Sequence, residues 1–204
     1  MDIIERFKGY IAVDTKSDPH NESCPSTSGQ LELGKTLVGE LQAMGLEAFQ
    51  DEHGYVYGTL ESNVEKDVPV IGFIAHLDTA PDLDGTCTNP QVIQYKGGDI
   101  PLNDQYRLEV KEFPVLEELV GEELITTDGT TLLGADDKAG IAIIMDALQE
   151  IISSTVEHGT IKVAFTPDEE IGRGADLFDV EGFGADFAFT IDGGRVGELQ
   201  YENF

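Results

Sequence analysis

Basic residues are scarce in this chain. Its 204 residues include only 12 Lys and Arg against 40 Asp and Glu, a formal net charge of −28. A surface that acidic repels phosphate backbones and anionic lipid, which argues against nucleic acid or a membrane as partner. It tolerates divalent cations better, although solubility alone accounts for much of such a surface. Cysteine is nearly absent as well. Cys24 and Cys87 form no C-x-x-C pair, so they fit free thiols in a reducing compartment and offer no thiolate metal site. Long apolar runs are missing too. Met1-Asp2-Ile3-Ile4-Glu5-Arg6 carries acids too early for a signal peptide. The most apolar helical stretch, Ile141 to Leu148, is interrupted by Asp146 and is too short to span a bilayer. The expected location is the cytoplasm.

What remains is an ordinary globular composition, 40% hydrophobic and 25% charged, in a chain long enough for one domain with a substantial core. Ile3, Ile4, Phe7 and Ile11 recur at helical spacing, and so do Leu33, Leu37, Leu41 and Met44, with Gly45 placed to end the second helix. Residues 15–28 read as a polar loop. Leu46–Gln50 and Tyr55–Leu60 read as strands around a turn at Gly54, and Val68–Ala75 as a strand covered on both faces. Residues 84–125 read as an excursion with small strands of its own. A helix over Lys138–Ile152, a strand over Ile161–Phe165, a short helix over Ala175–Val180 and a strand over Asp186–Ile191 follow. Gly197–Glu202 reads as one more strand. This alternation predicts an α/β fold with a mostly parallel central sheet flanked by helices.

The acids fall where such a sheet binds ligands, just beyond the carboxyl ends of strands. His76-Leu77-Asp78 follows one buried strand, Thr166-Pro167-Asp168-Glu169-Glu170 a second, and Asp192-Gly193-Gly194 a third. Asp136-Asp137-Lys138 stands where Leu132-Leu133 gives way to a helix. So many carboxylates gathered in one crevice need compensation, and few basic residues are available to give it. One His with several carboxylates is a nitrogen and oxygen donor set that suits Zn²⁺, with Mn²⁺ or Co²⁺ as substitutes. Each piece also has a bland alternative. Asp136-Asp137 reads as a helix cap, Glu169-Glu170 as a solvated turn, and Asp192-Gly193-Gly194 as a plain turn. Asp78, on the same side of an extended segment as His76, is placed to orient its ring. The coincidence of four such features favours one metal centre.

Gly29-Gln30-Leu31-Glu32-Leu33-Gly34-Lys35-Thr36 matches the phosphate-binding pattern G-x-x-x-x-G-K-[ST]. That pattern needs a preceding strand and a bare loop. Here the preceding residues are polar and proline-containing, and Leu33 belongs to a helical stripe. The match reads as chance, with a nucleotide-binding module as the alternative.

Three longer runs, Gly72–Asp82, Thr127–Gly140 and Phe165–Gly172, resemble the M20 metallopeptidases, in particular their tripeptide aminopeptidases. The segment from Thr190 to Phe204 does so as well. The resemblance implies a zinc-exopeptidase-like catalytic domain over residues 1–204, cut before the lid domain and the return segment. It implies two Zn²⁺ ions about 3.5–4 Å apart, bridged by Asp136. His76 and Asp192 would complete one site and Glu170 would bind the other. Asp78 would support the His76 ring, and Glu169 would be the general base. The implied reaction is hydrolysis of the first peptide bond of a short peptide. Family members are longer, supply a further His after the lid, and often dimerise through it, so the parent protein is expected to form a homodimer. His20, His53 and His158 lie outside the motifs, which leaves the Glu170 site under-coordinated and the chain alone weakly active or inactive. Another amidohydrolase or dipeptidase of the family, or a non-catalytic metal-binding scaffold, are the competing readings.

Overall fold

The computed structural model describes residues 2–194 and 197–201. Asp2 caps the first helix, α1 (Ile3–Ile11), by accepting the Ile4 N–H at 2.8 Å. Helix α2 (Ser28–Ala43) precedes β1 (Glu47–Gln50), β2 (Val56–Leu60) and β3 (Ile71–His76). The expected excursion follows with β4 (Gln91–Gln94), β5 (Ile100–Pro101), β6 (Arg107–Leu108) and β7 (Glu123–Thr126). Its strands pair among themselves, β4 with β7 and β5 with β6, around a separate small core of Tyr95, Ile100 and Leu116. Then come α3 (Ala135–Ser154), β8 (Ile161–Thr166), the four-residue α4 (Val180–Phe183) and β9 (Phe187–Thr190).

Among the described residues the main sheet has the order β1-β2-β8-β3-β9. β3 runs parallel to both β8 and β9, with His76 opposite Thr166 and Ile74 opposite Thr190. β2 is antiparallel to β1 and to β8. The α/β class is as expected, and the sheet is mixed rather than mostly parallel. The cause is the short turn at Gly54 (φ 89°), which joins β1 to β2 with no room for a crossover helix.

Strand alternation divides the core. Val56, Ala75, Val163 and Phe165 face α1, α2 and α3, where Ile11, Leu33, Leu37, Leu41, Ile141 and Met145 are buried. Tyr55, Tyr57 and Ala164 face the other way, against Phe178 and Phe183. Buried Arg6 ties the three helices together through Glu40 and Gln149.

Two local expectations fail. Residues 175–177 form turns, 178–179 are irregular, and the short helix starts only at Val180. The Tyr55 hydroxyl accepts the Leu177 N–H at 3.3 Å and the Tyr57 hydroxyl accepts that of Asp179 at 3.1 Å, so these amides are withdrawn from helical bonding. Residues 197–201 contain no strand, and Glu202 lies outside the described residues. The phosphate-loop match lies wholly within α2, where Lys35 pairs with Glu32 at 2.7 Å and Gly34 packs beside Gln50 and Val56. A continuous helix leaves no bare loop to cradle phosphate. No described helix is long and apolar enough to cross a membrane.

Candidate metal centre

Because β3, β8 and β9 are parallel, their carboxyl ends share one rim. His76 closes β3, and Glu169 and Glu170 occupy one 3-10 turn after β8. Asp192 follows β9 by two residues. Asp136 enters from the mouth of α3, where it and Asp137 depart from helical dihedrals and are joined by a cis peptide. Ligand atoms of His76, Asp136 and Asp192 lie within 4.8 Å of one another, the one such group of three among the described residues. His76 Nε2 stands 2.9 Å from Asp136 Oδ1 and 3.8 Å from Glu169 Oε2. The imidazole is buried, whereas Asp136 and Asp192 face solvent. Glu170 stands outside that group but near enough to feel the charges of Asp136 and His76.

The approach of Asp192 depends on Gly140. A Cβ there would fall 2.0 Å from the Ile191 carbonyl oxygen and 2.3 Å from Asp137 Oδ1. Only a bare Cα lets the end of β9 lie against α3.

Buried carboxylates hold these groups in place. Asp78, with no exposure, accepts the N–H of Glu169 at 2.9 Å and of Glu170 at 3.1 Å. Its Oδ1 is 3.3 Å from His76 Nδ1, and its carbonyl oxygen is 3.0 Å from the same nitrogen. Asp78 is thus in contact with the ring its spacing sets it beside, and it also pins the glutamate turn, which the spacing does not reveal. Asp137 accepts the backbone N–H of His76 at 3.0 Å. It does not cap α3, whose N-cap position is Gly134 with no side-chain bond. Asp168 is fully buried, and its partners Ser26 and Gln30 stand 142 and 138 positions earlier. No local signal in the sequence marks it.

Burial works against a charged His76, but its hydrogen bond to Asp78 and the charges of Asp78 and Asp137 outweigh this and push the imidazole up to about 10. Burial pushes Asp137 up to about 8, opposed by His76 and reinforced by Asp192 and Asp136. Burial, then Asp136, raises the Glu170 carboxyl above its usual range. Without a cation, the folded chain therefore keeps a proton on Asp137 from 3.8 up to about 8 and one on His76 from 6.5 up to about 10, where the unfolded chain has released them. Stability must fall wherever the folded state binds more protons, here most steeply as pH rises from 6.5 to 8, where both groups act. Lys138, lowered to about 8 chiefly by burial, acts in the opposite sense only above pH 8. We expect the Tm of chelator-treated protein to drop across that window and excess Zn²⁺ to reverse the drop. Calorimetry at several pH values checks this; a flat Tm would refute it.

The donor set fits a divalent cation. Among the described residues, the ion pairs at this rim all run to His76. The nearby Lys138 turns its Nζ to the Val13 carbonyl, 2.7 Å away. Beyond His76 the carboxylates thus make no ion pair among the described residues, and one imidazole with oxygen donors matches zinc-type coordination.

Comparison with known proteins agrees with this geometry. The sequence profile of peptidase family M20/M25/M40 matches residues 126–201, which contain Asp136, Glu169, Glu170 and Asp192. Peptidase T of Geobacillus thermodenitrificans (strain NG80-2) is 59% identical over 209 positions, covering 100% of this chain and 51% of the relative. The chain thus spans about half the length of the curated relatives it matches. The crystal structure of aminopeptidase PepT from Bacillus cereus ATCC 10987 superposes with a TM-score of 0.65 at 26% identity, covering 94% of this chain and 43% of that one. That of a tripeptidase from Staphylococcus aureus subsp. aureus mu50 gives 0.64 at the same identity and coverage. The profile match thus spans the rim acids, and the whole chain aligns with the peptidases T over about half of their length.

Proposed function

We propose that this chain carries most of the active site of a tripeptide aminopeptidase that removes the N-terminal residue of short peptides. The observation that carries the reading is the convergence of His76, Asp136 and Asp192, with Glu169 beside the same imidazole. His76, Asp136 and Asp192 would hold one divalent cation, and Asp136 with Glu170 a second. The donor types favour Zn²⁺, with Mn²⁺ or Co²⁺ as substitutes. Bound cations would polarise the scissile carbonyl and acidify water near neutral pH. With a cation bound, Asp78 would favour the His76 proton on Nδ1 and leave Nε2 as the ligating atom. Glu169, whose side chain is 52% exposed, is placed to take a proton from the attacking water and pass it to the leaving amine.

The site by itself is incomplete on this reading. His53 pairs with Glu52, and His158 bonds the Gly159 carbonyl, so neither is engaged at the rim. A further ligand for the Glu170 cation would come from sequence beyond this catalytic portion, together with a lid that grips substrate and joins two subunits. The chain's coverage of only about half of its relatives supports this. The free thiols Cys24 and Cys87 support an intracellular setting.

The test is a chimera in which this chain replaces the aligned segment of the Geobacillus peptidase T. Loaded with Zn²⁺, it is expected to cleave a tripeptide with a free amino terminus and to leave its N-acetyl form intact. The chain alone should show little or no turnover. Preferential cleavage of the blocked peptide would instead indicate a deacylase of the same family.

A further inference from the structure

Asp168 belongs to no ligand set described above, yet the rim is built around it. Its Oδ1 accepts from Ser26 Oγ at 2.6 Å and from Gln30 Nε2 at 2.7 Å. Its Oδ2 accepts the Ser26 N–H at 2.7 Å, and its own N–H donates to Gln30 Oε1 at 3.0 Å. Gln30 and Ser26 are buried as well. Four buried bonds therefore join the entrance of α2 to the residue that immediately precedes Glu169. Asp168 itself has φ 57°, a left-handed conformation that a non-glycine residue keeps only where its surroundings enforce it.

Opposite this knot, Asp78 holds the amides of Glu169 and Glu170. The glutamate turn is thus gripped by a buried carboxylate on each side. Among the described residues Asp168 has no ion pair, so its charge is met by neutral donors. Packing alone gives no reason to bury a carboxylate here, because apolar residues would fill the space with less desolvation. What a carboxylate with three donors provides is a fixed position.

We propose that Asp168 is a positioning residue which, through Ser26 and Gln30, fixes the turn so that Glu170 meets the second cation and Glu169 the reacting water. This rests on the roles given to those two glutamates under the proposed function.

The contact can be reversed without changing net charge. Asp168→Asn turns an amide toward the Gln30 amide, and Gln30→Glu sets carboxylate against carboxylate. The double variant Asp168→Asn/Gln30→Glu exchanges donor and acceptor and restores the match. Two quantities are read in the chain itself. One is deuterium exchange at the Glu169 and Glu170 amides without metal, and the other is Co²⁺ titration followed by visible absorption. Each single variant is expected to speed exchange at both amides about tenfold or more. Each should also weaken the second Co²⁺ equivalent about 10- to 100-fold, the range seen when groups that orient ligands are removed. The first equivalent should move less than about threefold, and the double variant should recover both readouts. Single variants that lower Tm while leaving exchange and the second equivalent unchanged would overturn the proposal. So would a double variant that regains Tm without regaining them, or an equal loss at both equivalents. If the single variants do not fold, Ser26→Ala, which removes one of the side-chain donors, supports the same comparison. Failure of the unmodified chain to bind a second Co²⁺ would reflect the incomplete Glu170 site, and amide exchange alone would then decide the role of Asp168.

Discussion

Glu169→Ala in the chimeric peptidase is expected to lower kcat for a free-amine tripeptide by about 10²–10⁴-fold, the usual worth of a positioned general base. Metal content should not change. The Glu169 side chain projects from a turn whose position is set by backbone amides bonded to Asp78, and alanine keeps those amides. His76, Asp136 and Asp192 also keep their mutual placement, since none depends on the Glu169 carboxylate. KM should change little, because the lost interaction belongs to proton transfer rather than to peptide binding. Elemental analysis beside steady-state kinetics checks the pair of outcomes. Retained turnover would remove Glu169 from the mechanism, and loss of metal together with turnover would recast it as a ligand.

Asp136→Ala should have the opposite signature. Its carboxylate stands 2.9 Å from His76 Nε2 and within the ligand group that includes Asp192. If it is shared by two cations, its removal weakens both sites at once, and we expect Zn²⁺ affinity to fall by more than about 100-fold. Asp192→Ala should weaken one equivalent and leave the other. The fold should tolerate Asp136→Ala, because the side chain is 66% exposed. Isothermal titration with Zn²⁺, alongside a thermal melt of the cation-free variant, separates lost binding from lost structure. Zn²⁺ affinity within a few-fold of the unmodified chain would disprove a shared carboxylate.

Much of this architecture is legible in the sequence because burial leaves periodic traces. The stripes Ile3-Ile4-Phe7-Ile11 and Leu33-Leu37-Leu41 mark helices that bury one face, and they became α1 and α2. The apolar runs ending at Ala75 and Phe165 mark central strands, and the polar residues beyond them mark the rim. His76 stands at that rim, at the very end of β3. Contacts between distant segments leave no such trace. Asp137 sits beside Asp136 and reads as a cap, but its partner is the His76 amide 61 positions away. Asp168 reads as one more acid in a polar turn until Ser26 and Gln30 are brought against it. The non-helical path of residues 175–179 depends on hydroxyls of Tyr55 and Tyr57, 122 positions upstream. The tight turn at Gly54 makes β1 and β2 antiparallel, against the α/β rhythm of the rest.

The gap at Gly140 gives this protein a dimension that no charged group controls. With the Ile191 carbonyl oxygen only 2.0 Å from where a Cβ would be, a single methyl would act as a wedge between helix and strand. The carboxylate one residue further on would swing away from its counterparts, although every donor atom remained in the sequence. The spacing of the candidate cation cradle is therefore set by an empty volume, and that position is as restrictive as any of the carboxylates while having no chemistry of its own.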